Sequence, residues 1–198
     1  MQRWLIVFLS IFFLTACNMP ETRIYSLHLP TESNKTADLK ADDASLVIIV
    51  SSARYLTQPY IAYRNSPYEL EISRYSRWDS SPNEILREVF KDAISKAGIF
   101  KEVRASSSVP DGFYALKINL KRFERFDDGD NSFGEILFDV ILISPDGKEI
   151  YQKTISKKAR LDERNFRGLA RGLSSALSEG VEDVRSGIYS HFSAETAK

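Results

Sequence analysis

The sequence predicts an α+β fold: a single domain with a mixed or antiparallel sheet packed by two amphipathic helices, preceded by a lipoprotein signal peptide. Three observations carry this reading. Short apolar segments recur between residues 24 and 156, several of them alternating with the two-residue period at which strand side chains share a face. A helix-capping sequence at Ser81 opens a run of apolar residues at helical steps. A longer run of the same periodicity fills the segment from Phe166 to Phe192.

Residues 1–16 are an address and lie outside that fold. A basic start at Arg3 precedes an apolar run from Trp4 to Leu14 and small residues before Cys17, the composition of a secretory signal peptide. The run falls short of the roughly 20 apolar residues that a bilayer-spanning helix needs. Leu14-Thr15-Ala16-Cys17 has the form of a lipobox, in which small and apolar residues open the backbone to a signal peptidase and the thiol receives diacylglycerol. The alternative is an ordinary secretory signal cleaved near Ala16. Cys17 is the single cysteine of the chain, so the fold rests on its core with no disulfide. Several acyl chains on Cys17 would hold far more firmly than one, and this covalent lipid is the only prosthetic group expected. Asn18 and Met19 follow the cysteine; an aspartate at the first of these positions would mark retention in the inner membrane. The expected location is therefore the periplasmic side of the outer membrane, with residues 17–23 as lipidated tether and 24–193 as the domain.

Charge sets a further limit. The chain holds 27 basic and 27 acidic residues, and loss of Arg3 with the signal leaves 26 against 27, a net of −1. Nucleic-acid surfaces need a basic stripe, and Lys157-Lys158-Ala159-Arg160 is too brief to be more than a solvated strand end.

Along the domain, Ile24 to Leu29 alternates with Tyr25, Leu27 and Leu29 on one face, and Pro30 closes the strand. Residues 31–45 are small and polar, as in a surface loop. Leu46 to Val50 is continuously aliphatic, which suits a central strand covered on both faces. Pro59 interrupts any ladder between Arg54 and Arg64, and Asn65-Ser66-Pro67 turns the chain into a strand over Tyr68 to Ile72. Ser81-Pro82-Asn83-Glu84 places serine at N-cap, proline at N1 and glutamate at N3 of a helix. Its stripe is Ile85, Leu86, Val89, Phe90, Ala93, Ile94 and Ala97, and Gly98 is the stop.

A short strand over Ile99 to Val103, a serine-rich loop and the turn Pro110-Asp111-Gly112 lead to Phe113 through Phe123, which alternates. Asp127-Asp128-Gly129-Asp130-Asn131 resembles a calcium loop, but the sixth and twelfth positions are Ser132 and Phe138 where an EF-hand requires glycine and glutamate, so a strand-connecting turn is expected. Glu135 to Ile143 and Lys148 to Ser156 form a hairpin about Pro145-Asp146-Gly147. The last helix takes Asp162 or Asn165 as its cap. It contains Gly168, Gly172, Gly180 and Gly187, either for close approach to the sheet or to another subunit, or simply softening the helix.

No catalytic constellation is legible. The two histidines, His28 and His191, sit in no motif, and the sequence holds no Gly-x-Ser-x-Gly, no His-Glu-x-x-His, no phosphate loop and no paired cysteines. The expectation is a non-enzymatic protein with no catalytic residue and no metal ligand set. What stands out is the stretch from Tyr55 to Trp78, where Tyr55, Tyr60, Tyr63, Tyr68, Tyr75 and Trp78 are interleaved with Arg54, Arg64, Arg74 and Arg77. Such side chains are enriched at protein contacts, and they serve equally to plug a core.

Tyr55-Leu56-Thr57-Gln58-Pro59-Tyr60-Ile61-Ala62-Tyr63-Arg64, followed by Arg77-Trp78 and an amphipathic helix, resembles the ABC-type transport auxiliary lipoproteins. That resemblance implies a subunit of an envelope machine that moves lipids between membranes. It would work at the outer membrane by docking a mammalian-cell-entry domain protein, with an ABC-type or related permease as the further partner. It also implies Tyr55, Leu56, Tyr60, Tyr63, Arg64, Arg77 and Trp78 as candidate partner contacts, a possible homo-oligomer, and no nucleic acid. Two other readings stay open. A regulatory or assembly lipoprotein for a cell-wall synthase or secretion pore would call for a longer tether than the one between Cys17 and Ile24, and an envelope enzyme would have to use His28 or His191.

Overall fold

The structure, a computed structural model, describes residues 21–29 and 44–196. The signal segment, Cys17, most of the tether and the polar stretch 30–43 lie outside the described residues. The chain forms β1 (Arg23–Tyr25), β2 (Ser45–Ser52), a single 3-10 turn (Arg54–Thr57), β3 (Tyr60–Ser66), β4 (Glu69–Trp78), α1 (Pro82–Ala97), β5 (Glu102–Ala105), β6 (Tyr114–Asp128), β7 (Asn131–Ile143), β8 (Glu149–Arg160) and α2 (Phe166–Thr196). Both helices pack on one face of one mixed sheet, giving the α+β domain that the periodicities predict.

The sheet is organised about β6. Along one edge it pairs antiparallel with β7, and β7 with β8. The other edge is shared: β2 runs parallel to Tyr114 through Leu120, and β3 runs parallel to Glu124 through Phe126. Between them the chain leaves the ladder through the 3-10 turn and Pro59, since proline has no N–H to contribute. At one end β5 pairs with β2. At the other, β4 pairs with β3 and β1 with β4, making a three-stranded wing.

A register shift between Leu120 and Arg122 changes the parity of β6. Leu116, Ile118 and Leu120 face the core before it, and Phe123 faces the core after it. Glu124 is thereby turned to the face away from the helices. The signal is in the sequence, where Lys121-Arg122 breaks an otherwise strict alternation.

The ends of α1 follow the capping chemistry. Ser81 Oγ accepts the Glu84 N–H at 3.3 Å, and Gly98 takes φ 69°. The glutamate of the cap does not complete the reciprocal bond, because its carboxylate is held by Arg87 at 2.6 Å. Leu86, Phe90 and Ile94 are buried from α1, and Leu169, Leu173, Leu177, Val184 and Ile188 from α2. Each such side chain contributes about 1.5–3 kcal/mol on leaving water. Of the two candidate caps for α2 the structure uses Asn165, whose Oδ1 accepts the Gly168 N–H at 2.9 Å.

The glycines of α2 face inward. A Cβ on Gly172 would meet Leu161 at 2.6 Å, on Gly180 Ile155 at 3.0 Å, and on Gly187 the Tyr151 ring at 2.6 Å. They let the helix approach β8 and the loop after it, so they offer nothing to a second subunit.

The first strand is shorter than its alternation predicts. After Tyr25 the backbone leaves β4 and turns onto α2, where the His28 N–H donates to Ser174 Oγ at 3.0 Å. Leu27 and Leu29 still pack against the core. The strand expected over Ile99 to Val103 instead occupies Glu102–Ala105, because Ile99 and Phe100 are taken into the core from the turn after α1. No described helix is long and apolar enough to cross a membrane.

Candidate functional site: the aromatic wing

The stretch between Arg54 and Trp78 builds the 3-10 turn, β3 and β4, and its side chains divide into three groups by burial. Leu56 and Trp78 belong to the core, at 1% and 2% exposure. Trp78 meets Phe123 edge to face with ring centroids 5.5 Å apart, and its indole N–H has no hydrogen-bond partner among the described residues. Neither residue presents surface to a partner, which corrects the expectation of contacts at these two positions. The aromatic-rich pattern there serves packing.

A second group braces the sheet. Glu124 is fully buried on the face away from the helices, and Arg64 Nε donates to its Oε1 at 2.7 Å. The Tyr55 hydroxyl lies 3.3 Å from Glu124 Oε2 and 3.3 Å from the Lys121 carbonyl. Burial first, and then the Glu124 charge, push the Tyr55 phenol up to about 12. A buried carboxylate must be paired or it destabilises the fold; here one arginine and one phenol do so. Tyr63 points to the other face and donates to Glu71 Oε2 at 2.8 Å, a bond that raises its own pKa. The Arg125 guanidinium lies between the rings of Tyr63 and Phe166, 5.1 and 5.2 Å from their centroids, and pairs with Asp127 at 3.0 Å. Ser132 Oγ donates to the second oxygen of Asp127 at 2.5 Å. This clamp fixes the start of α2 to the wing.

The third group is exposed. Tyr60 and Arg77 sit opposite each other, with the guanidinium 6.0 Å from the ring centroid. Ile24, in register with Arg77 on β1, is 69% exposed. Ile72 and Tyr75 are exposed on β4, and Tyr68 is 96% exposed in the turn before it. Of the sequence-predicted contacts, only Tyr60 and Arg77 join this surface. Ile72 was hidden because an apolar residue in an alternating strand reads as core, and Ile24 because alternation leaves it on the second face without saying whether that face is exposed.

The remaining polar candidates do not converge. His28 is exposed beside Ser174, whereas His191 packs edge-on against Phe192. Seventeen residues of α2 separate Ser174 from His191, about 25 Å along the helix at its rise per residue, so the two imidazoles form no common site. Asp127 is bound by Ser132, Arg125 and Arg164 in the turn between β6 and β7. Among the described residues no group of three or more His, Cys, Asp or Glu is placed to hold a metal ion.

Comparison with known proteins matches these features to a family. The model of the ABC-type transport auxiliary lipoprotein component matches residues 25–184. A crystal structure of a Xanthomonas campestris protein superposes with a TM-score of 0.74 at 20% identity, covering 88% of this chain and 98% of that one. A second crystal structure, of an uncharacterised protein, superposes at 0.66 with 15% identity, covering 85% and 99%. At these identities the likeness shows the fold. No curated protein matches the chain.

Proposed function

The chain belongs to the family of ABC-type transport auxiliary lipoprotein components, and from that premise we propose that it is the outer-membrane-anchored, periplasmic subunit of an intermembrane lipid transport system. In this reading the Cys17 lipid holds the domain to the membrane, and the domain docks a mammalian-cell-entry domain protein that connects it to an ABC-type or related permease. The observation that carries it is the extent of the family match, which runs from β1 through most of α2.

The physical form of the domain supports a binding role and not a chemical one. Its buried charges, Glu124 and Asp127, are each consumed by arginine pairs within the sheet, and its tyrosines with raised pKa values are explained by burial or by carboxylate neighbours. The fold is a packed platform on a short lead from the proposed anchor, suited to holding a partner at one membrane.

In-cell crosslinking followed by affinity capture of the acylated protein from outer-membrane fractions tests the proposal. The expected product is a mammalian-cell-entry domain protein. Capture of a cell-wall synthase or a secretin in its place would overturn it in favour of a regulatory or assembly role.

A further inference from the structure

The exposed large apolar side chains of the described residues gather on one region. Ile24, Tyr60, Tyr68, Ile72 and Tyr75 all lie on the wing made by β1, β3 and β4, or in its turn, and only Val109 lies elsewhere. Ile24, Arg77 and Tyr60 stand side by side across the three strands. Ile72 is opposite Ala62, which is itself in register with Glu124, so this row is on the face away from the helices. Large exposed apolar side chains gathered in one region mark an interaction surface.

Two observations say what covers it. The first is distance: residues 18–22 alone separate Cys17 from Arg23, so at about 3.5 Å per residue β1 begins within about 20 Å of the acylated sulfur. The wing is the part of the sheet tied directly to that tether. The second is charge: the three strands carry Arg23, Arg64, Arg74 and Arg77 against Glu69 and Glu71. Arg64 is held by Glu124, and Glu71 by Tyr63 and Asn65. What the wing shows outward is therefore Arg23, Arg74 and Arg77 against one exposed carboxylate, Glu69, beside tyrosine and isoleucine. Arginine matches phosphate geometry, and tyrosine suits the boundary where one end of a side chain is apolar and the other wet.

We infer that this wing lies against the phospholipid headgroups of the bilayer that carries the Cys17 lipid. Ile24, Tyr60, Ile72 and Tyr75 meet the interface and Arg77 meets phosphate. Both helices then point into the periplasm, and the protein partner meets a surface other than Tyr60 and Arg77. The inference rests on the anchored reading of Cys17.

The test uses the full acylated protein reconstituted on vesicles of phosphatidylethanolamine and phosphatidylglycerol. Because Cys17 is the only cysteine and its thiol is acylated, Ile72→Cys, Tyr75→Cys and, as reference on α1, Asp92→Cys each provide a unique site for a fluorophore at an exposed position. Labels at 72 and 75 are expected to be quenched several-fold more by a lipid-borne nitroxide than the label at 92, and to be shielded from aqueous iodide. Equal lipid quenching at all three positions overturns the inference. So does shielding at 72 that grows with protein concentration in lipid-free detergent, which would identify a second copy, or shielding that needs the mammalian-cell-entry domain protein. Vesicle flotation separates the two levels: protein that fails to float overturns the anchored reading and this one with it, whereas floating protein with unquenched labels overturns this one alone.

Discussion

At the residue scale, Glu124 decides how firmly the wing is held to the rest of the sheet. Its carboxylate is fully buried and depends on Arg64 and Tyr55. Arg64→Leu is expected to cost about 3 kcal/mol in urea unfolding, the price of leaving a buried charge without its partner. The double variant Arg64→Leu with Glu124→Leu should recover most of that loss; a double variant as unstable as the single one would show that the pair is not the cause. Tyr55 adds a pH dependence. Its phenol ionises near 10 in the unfolded chain and at about 12 in the fold, so between these values the unfolded state holds fewer protons and stability falls as pH rises. Tyr55→Phe should flatten that part of the stability profile, and an unchanged slope would assign it to other groups. Trp78→Ala should cost about 3–5 kcal/mol as a core truncation, whereas Ile72→Ser on the exposed wing should stay within about 0.5 kcal/mol; thermal or urea unfolding of the pair checks the division between core and surface.

At the scale of the elements, the sequence was most readable where local chemistry decides. Ser81, Pro82 and Gly98 bound α1, and the apolar steps of α2 predicted which of its residues are buried. Ser81→Ala should lower stability by about 1 kcal/mol. The glycines of α2 were legible as a question whose answer lay in packing. An added Cβ at Gly168 would meet the Glu163 carbonyl oxygen at 2.2 Å, a backbone group that cannot swing aside. Gly168→Ala should therefore destabilise, although alanine favours an unconstrained helix by about 1 kcal/mol over glycine; circular-dichroism melting would show a raised midpoint if the helix started free of that loop. The wing was less legible. Alternation assigns a residue to one face or the other, but it does not say whether that face is covered by helices or left open. Hence Ile24 and Ile72 passed as ordinary strand residues, Tyr75 was named only as one of the aromatic stretch, and Leu56 and Trp78 passed as contacts. Glu124 was missed because its burial depends on the parity change after Leu120, which Lys121-Arg122 marks in the sequence but only the pairing with β7 fixes.

At the scale of the molecule, the architecture separates three tasks. The sheet and two helices form one core that needs no disulfide. The wing carries the exposed aromatic and arginine surface nearest the tether. The helices and β8 form the other side, where Lys153 and Lys157 bridge to Asp183 on α2 and keep the edge strand charged. On the proposed function, such a body would be held to one membrane by the Cys17 lipid and would dock a partner that reaches it from across the periplasm.

The measurement that tests this most directly is co-flotation of the mammalian-cell-entry domain protein with vesicles bearing the acylated chain. The account predicts that the partner floats with those vesicles and stays at the bottom of the gradient when the vesicles carry no lipoprotein or when the chain is the unacylated Cys17→Ser form. A partner that floats equally in all three cases, or in none, would contradict the docking role.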